Sequence, residues 1–217
     1  MPGTVEWLPY AVGTMTDLEI SGSESPIRNV TRQVAFDGAW DVERRDKIAE
    51  LFDSMAAEWS ATRDGEERRA SIIDALDRGG ITGERVIELG AGSGLGTKHL
   101  ARRFSNVVAL DLSMEMLRAA PSDVGLKVRG DSSVLPFPDG VADVLTLVNM
   151  LLFPDEVDRV LADNGSLVWI NTMAHETPIH LSADDVVAAL PGNWTALASR
   201  AGSGSWCVVR RFEPSVG

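Results

Sequence analysis

Between residues 86 and 96 the chain reads VIELGAGSGLG, an apolar run that meets four glycines at alternate positions and then a helical stretch. Such a run is a buried strand. The glycines let the backbone turn sharply and approach a ligand closely, and the helix that follows offers free N–H groups at the turn. Strand, tight turn and helix in succession form the start of a βα unit, which commits the chain to a mainly parallel sheet covered by helices. The alternation continues downstream. After Arg85–Leu89, strands are expected at Val107–Asp111, Leu126–Arg129, Ala142–Val148, Ser166–Asn171, Trp194–Ser199 and Ser205–Arg211. Between them lie helical stretches at Thr97–Phe104, Met114–Ala119, Pro154–Leu161 and Ala183–Leu190, the last opened by a Ser182/Asp185 capping pair. Only Gly202-Ser203-Gly204 separates the final two strands, so they pair antiparallel.

Ahead of the loop the pattern differs. Residues 1–40 show no sustained period and read as a loop-rich arm or lid carrying Trp7, Tyr10, Met15 and Trp40. From Asp41, an N-cap, Ile48, Leu51, Phe52, Met55, Ala56 and Trp59 form the stripe of an amphipathic helix. A second helix spans Glu66–Asp77 and stops at Gly79-Gly80. The chain therefore divides into an arm (1–40), a helical cover (41–80) and a core (81–217) of one domain, which 217 residues with 44% hydrophobic side chains suffice to build. A net charge of −12 repels phosphate backbones and argues against a nucleic-acid partner. The single cysteine, Cys207, excludes an internal disulfide and any multi-cysteine zinc site. With no apolar run of the roughly 18–20 residues that cross a bilayer and no basic, apolar leader, a cytoplasmic protein without a membrane partner is expected. The preference for arginine over lysine suggests a bacterial source.

The loop's neighbours narrow its ligand. The dinucleotide fingerprint would need its third glycine at Leu95 or Thr97, and neither register fits. About 20 residues on, Asp111 ends the next strand, where a carboxylate accepts ribose hydroxyls. The third strand delivers Asp131, which cannot help a pyrophosphate but can accept a hydrogen bond from an adenine amino group. These contacts suit a nucleoside without phosphates.

The segments ELGAGSGLG, VVALDLSMEML and GDSSVLPFPDGVADVLTLVNML resemble, in order and spacing, successive motifs of class I S-adenosylmethionine-dependent methyltransferases, nearest the small branch of quinone-biosynthesis and natural-product enzymes. The resemblance covers residues 85–171 closely and the tail to Arg211 loosely. It implies a three-layer αβα sandwich with a mainly parallel seven-stranded sheet and an antiparallel last strand. It further implies that Glu88, Gly90, Ala91 and Gly92 line the methionine end of S-adenosylmethionine. On the same basis Asp111 holds the ribose, Leu112 packs on the adenine, Asp131 and the backbone of Ser132 take its amino edge, and Asn149 borders the sulfonium. Trp59 and Arg63 occupy a region that meets the cofactor carboxylate in similar enzymes.

The chemistry that follows is methyl transfer, which rests on positioning and on exclusion of water, with S-adenosylhomocysteine as product. A hydroxyl acceptor would gain from a general base. Of the three histidines, His99 reads as part of a solvated helix face beside Lys98, Arg102 and Arg103, whereas His175 and His180 follow the fifth strand, where open α/β sheets place ligands. Those two are the candidate bases, against the plainer reading of loop histidines. No cysteine or carboxylate stands at ligand spacing from them, so no metal site is expected. Asn149-Met150-Leu151-Leu152 stands where adenine- and glutamine-modifying members carry Asn/Asp-Pro-Pro-Tyr/Phe, which with the acidic charge favours a small-molecule acceptor and leaves a protein acceptor open. The pocket over the sulfonium is expected from residues 1–60, the Leu151–Pro154 turn and residues 172–181. Monomer and homodimer are both compatible with this reading. So are a cyclase-like reaction that uses the cofactor without methylating and a non-catalytic cofactor-binding role.

Overall fold

The computed structural model describes residues 3–11 and 26–212, with the side chains of residues 26 and 60–63 outside that description. In chain order the elements are β1 (Val5–Trp7), α1 (Pro26–Asp37), α2 (Val42–Arg63), α3 (Glu66–Arg78), β2 (Arg85–Leu89), α4 (Thr97–Arg103), β3 (Asn106–Asp111) and α5 (Met114–Ala119). They continue as β4 (Leu126–Arg129), β5 (Ala142–Val148), α6 (Pro154–Val160), β6 (Leu161–Asn171), a 3-10 turn at Ala174–Glu176, α7 (Ala183–Ala189), β7 (Trp194–Ala201) and β8 (Gly204–Arg211). The strands form one sheet in the order β1-β7-β8-β6-β5-β2-β3-β4. Strand β8 runs antiparallel to both β6 and β7, and the other pairings are parallel.

Successive residues of the central strands enter opposite faces, and both faces are covered. Val86, Val107, Val144 and Val168 pack with Ile72, Ala75 and Leu76 of α3 and Leu100 of α4. Their neighbours Ile87, Leu145, Leu167 and Trp169 pack on the other face with Val157 and Val160 of α6 and Val186 and Val187 of α7. Burial on two sides is why these strands read as nearly continuous apolar runs. The expected three-layer αβα sandwich is the observed architecture. The Ser182/Asp185 capping box forms, as does the Asp41 cap, whose Oδ1 accepts the Arg44 N–H at 2.8 Å. No helix among the described residues is long and apolar enough to cross a membrane.

Two corrections concern the N-terminal region. The sheet has eight strands, not seven, because Val5–Trp7 lies parallel to β7 in the register Val5↔Ala196, extended by Leu8 N–H to Ala198 O at 2.8 Å. The stretch read as a loop-rich arm also contains α1, whose Val34 packs with Leu151 and Phe153 and with part of Val30 and Ile48. Met15 lies outside the described residues.

Candidate functional site

Order in the sheet reverses between β2 and β5, and the glycine loop leaves β2 at that point, where open α/β sheets hold ligands. Ala91 N–H donates to Leu110 O at 3.0 Å, pinning the loop to β3. Gly92 has φ +55, a left-handed conformation that a side chain resists, and a Cβ there would meet only Trp59 Nε1 at 3.8 Å. At Gly92 the loop backbone therefore faces open space. Asp111 closes one side of it. Its Oδ2 accepts the Gly92 N–H at 2.7 Å and its Oδ1 accepts the Ser113 N–H at 2.8 Å, so each oxygen keeps a lone pair for a ligand hydroxyl. Burial raises the Asp111 carboxyl above its ordinary range, and these N–H bonds oppose the rise.

Glu88 lies below the loop, 1% exposed, accepting the Thr97 hydroxyl on Oε2. Its Oε1 faces Gly96, where a Cβ would collide with it. Burial, with the nearby Asp111 charge, pushes Glu88 up to about 8, so the carboxyl is protonated near neutral pH until a cation reaches it. Asp131 follows β4; its Oδ1 accepts the Ser133 N–H at 2.9 Å and its Oδ2 accepts the Trp40 indole N–H at 3.2 Å. Asn149, at φ +50, bridges the ends of β5 and β6 through Nδ2–H to Thr172 Oγ1 and Thr172 N–H to Oδ1, both 2.8 Å.

These groups line one cavity of about 380 Å³, within the range of small-molecule sites, together with Gly90, Leu112 and Ser132. Helices α1 and α2 roof it with Ile27, Val30, Ile48, Leu51, Phe52, Met55 and Trp59. Met150, Leu151 and Phe153 after β5, and Met173, Pro178 and Ile179 after β6, complete an apolar wall. Trp40 lies edge-on to Phe153, with ring centroids 5.2 Å apart. Asp53 of α2 accepts the Ser113 hydroxyl and, at 3.2 Å, the Glu115 N–H, which fastens the roof to α5. A phosphate-free nucleoside joined to an amino acid fits this donor set: a loop backbone open at Gly92, an acid at the end of each of two adjacent strands, and a buried carboxyl below the loop.

Of the residues expected at the site, Glu88, Gly90, Ala91, Gly92, Asp111, Leu112, Asp131, Ser132, Asn149 and Trp59 all line the cavity. The side chain of Arg63 lies outside the described residues. His175 and His180 are not among the lining residues, although their neighbours Thr177, Pro178 and Ile179 are. Burial and the Arg28 charge push His180 down to about 4, leaving it neutral and weakly basic. His99 is corrected from a solvated position to a buried one, 8% exposed, and burial with Lys98 and Arg102 lowers its pKa. Of the aromatic arm, Trp40 lines the cavity, whereas Trp7 and Tyr10 are exposed beside Arg200 of β7. Cys207 is buried in β8 with its thiol pushed up to about 12, inert as a nucleophile. Sequence reasoning missed Asp64 and, in α3, Arg68 and Arg69, all of which line the cavity, whereas Thr172 falls within the expected 172–181 segment.

Residues 87–168 match the family model described as a methyltransferase domain. The chain is 32% identical over 130 residues to the demethylmenaquinone methyltransferase of Renibacterium salmoninarum, covering 56% of this chain and 54% of that one. It thus spans little more than half the length of that relative. With the demethylmenaquinone methyltransferase of Mycolicibacterium gilvum the identity is 32% over 171 residues, covering 70% of this chain and 73% of the relative. Among solved structures, the complex of DhpI with S-adenosylhomocysteine superposes with a TM-score of 0.66 at 20% identity, covering 78% of this chain and 98% of that one, a likeness of fold.

Proposed function

The chain belongs to the class I S-adenosylmethionine-dependent methyltransferases related to those of quinone biosynthesis, and from that premise we propose that it methylates a small, apolar acceptor. One observation carries the reading. A single cavity joins the glycine loop and its acids to an apolar compartment under α1 and α2. When bound, the cofactor supplies a methyl carbon already activated by a positively charged sulfur. Asp111 orients the ribose, Asp131 with Trp40 borders the adenine edge, and Glu88 offers a carboxyl to the methionine end. The roof excludes water from the sulfonium side, and the bridge between Asn149 and Thr172 holds the two adjoining loops at a fixed separation.

The acceptor compartment bears on the substrate. Among the described lining residues, α1, α2 and the loops after β5 and β6 contribute no ionisable side chain. This arrangement favours an acceptor whose nucleophilic atom ionises unaided, such as an acidic ring hydroxyl or the ring carbon it activates. It suits an apolar ring compound of the kind for which the demethylmenaquinone relatives are named. The net charge of −12 supports a small molecule over a nucleic acid, and the cytoplasm supplies the cofactor.

Titration calorimetry with S-adenosylhomocysteine tests the cofactor assignment. Micromolar binding is expected, weakened roughly 100-fold or more in Asp111→Ala, since two charge-assisted hydrogen bonds contribute about 1.5–3 kcal/mol each. Asp111→Asn serves as the shape-preserving control. Indifference to both changes, or failure of the native chain to bind, refutes the assignment.

A further inference from the structure

Three side chains beside the acceptor compartment carry polar nitrogens that nothing in the protein engages. Arg28 lies in the first turn of α1; His175 is in the 3-10 turn after β6, and His180 stands just ahead of α7. Among the described residues none of the three side chains enters a hydrogen bond or an ion pair, and Arg28 Nε and His175 Nε2 are buried without a partner. Buried polar groups are nearly always satisfied, so two unmet nitrogens at one seam ask for a group from outside the chain. All three side chains are half-buried, which leaves them within reach of a solute.

They belong to one place. Ile179, next to His180, packs with Val30 and Val34 of α1, and Arg28 and His175 are among the charges that act on the His180 ring. Asp185 of α7 is the acid that acts on the same ring, and it is already held by Arg32 of α1 at 2.7 Å and by the Ser182 hydroxyl at 2.9 Å. The first turn of α1 contains no acid to offset the positive end of that helix. Positive charge and free donors therefore collect at this seam without a counterion. The acceptor compartment lies on its other side: Ile27 and Ile179 line the cavity, and the residue after each, Arg28 and His180, does not. We propose that Arg28, His175 and His180 form a binding site for an oxyanion, a carboxylate or a phosphate, at the seam between α1 and the loop after β6. The guanidinium presents a planar fork of donors and each imidazole adds an N–H. Burial and Arg28 keep His180 neutral until an anion offsets that charge and lets the ring take up a proton. Bound there, the anion ties the roof to the far wall of the compartment. The group arrives on the acceptor, as an acid substituent of its ring, or as a free anion. Assigning it to the acceptor rests on the methyl-transfer reading above, whereas the site itself does not.

The two sources separate in the chain saturated with S-adenosylhomocysteine. In calorimetry 1-hydroxy-2-naphthoate should bind more tightly than 1-naphthol, which lacks the carboxylate, and Arg28→Ala should weaken the acid about 10–100-fold while leaving the naphthol within about twofold. Arg28→Lys should recover part of the loss, since it restores charge without the fork. That result places the oxyanion on the acceptor. If the two naphthalenes behave alike, but inorganic phosphate or acetate raises the titration midpoint of the His180 ring by NMR in the native chain and not in Arg28→Ala, the site holds a free anion. Equal weakening of both naphthalenes in Arg28→Ala, or no response to Arg28 with any of these probes, overturns the site. Failure of the native chain to bind S-adenosylhomocysteine overturns the cofactor reading instead, and the His180 titration with phosphate or acetate then decides the site alone.

Discussion

Glu88 shows how far one side chain departs from what its neighbours in sequence suggest. A carboxylate in the strand before a glycine loop reads as a ligand contact, whereas in the folded chain burial keeps it protonated, with a value near 8 in place of the ordinary 4.5. Between those two pH values the folded chain retains a proton that the unfolded chain has released, so stability falls as pH rises and the loss is complete above about 8. Each unit of displacement corresponds to about 1.4 kcal/mol. Urea midpoints of the cofactor-free chain should therefore drop across this window more steeply than those of Glu88→Gln. The comparison isolates Glu88 from His99 and His180, whose depressed values act in the opposite direction. Parallel slopes would mean that Glu88 is already charged. Residues of the glycine loop and of the ends of β3 and β4 were legible because short motifs fix their places. Arg68 was not, because which arginine of α2 and α3 turns toward the cavity depends on how those helices dock. The same limit applies to His175 and His180, which follow the right strand but stand off the cavity lining.

Strands β2, β3 and β5 to β8 and helices α3 to α7 stood out from the sequence because each buries a continuous or periodic apolar face, whereas β4 is only partly buried. Strand β1 did not, since three residues with Trp7 half-exposed show no period. Helix α1 left a usable signal that went unread: Ile27, Val30 and Val34 at helical spacing, Pro26 at the first position, and Gly38 at φ +62 just past the end. The roof formed by α1 and α2 is held to the core by a few polar links, among them Asp53 with Ser113 and Glu115, and Arg32 with Asp185 at 2.7 Å. Asp53→Ala should raise hydrogen exchange in α2 by about 10–100-fold, the loss of about two such bonds, while the strands stay protected. Exchange that rises equally in β5 would place Asp53 in the global stability of the fold instead.

At the scale of the whole chain, the cavity draws on α1, α2, α3 and the loops after five strands, parts separated by more than a hundred residues. A ligand there joins elements that packing alone leaves weakly coupled. S-adenosylhomocysteine at about 100 times its Kd should stabilise the fold by about 2.7 kcal/mol, a rise in Tm of about 5–10 °C for a chain of this size. Asp111→Ala at the same concentration should show little rise, and a thermal scan of the two distinguishes site binding from a solvent effect. The far rim of the sheet carries a different consequence. Because Val5–Trp7 lies along β7, that strand's outward amides are already taken, and the outermost strand is only three residues long. Trimming the first eight residues would bare a row of unmet donors and acceptors along β7, the template on which a second copy could assemble, so the small N-terminal strand also guards against aggregation.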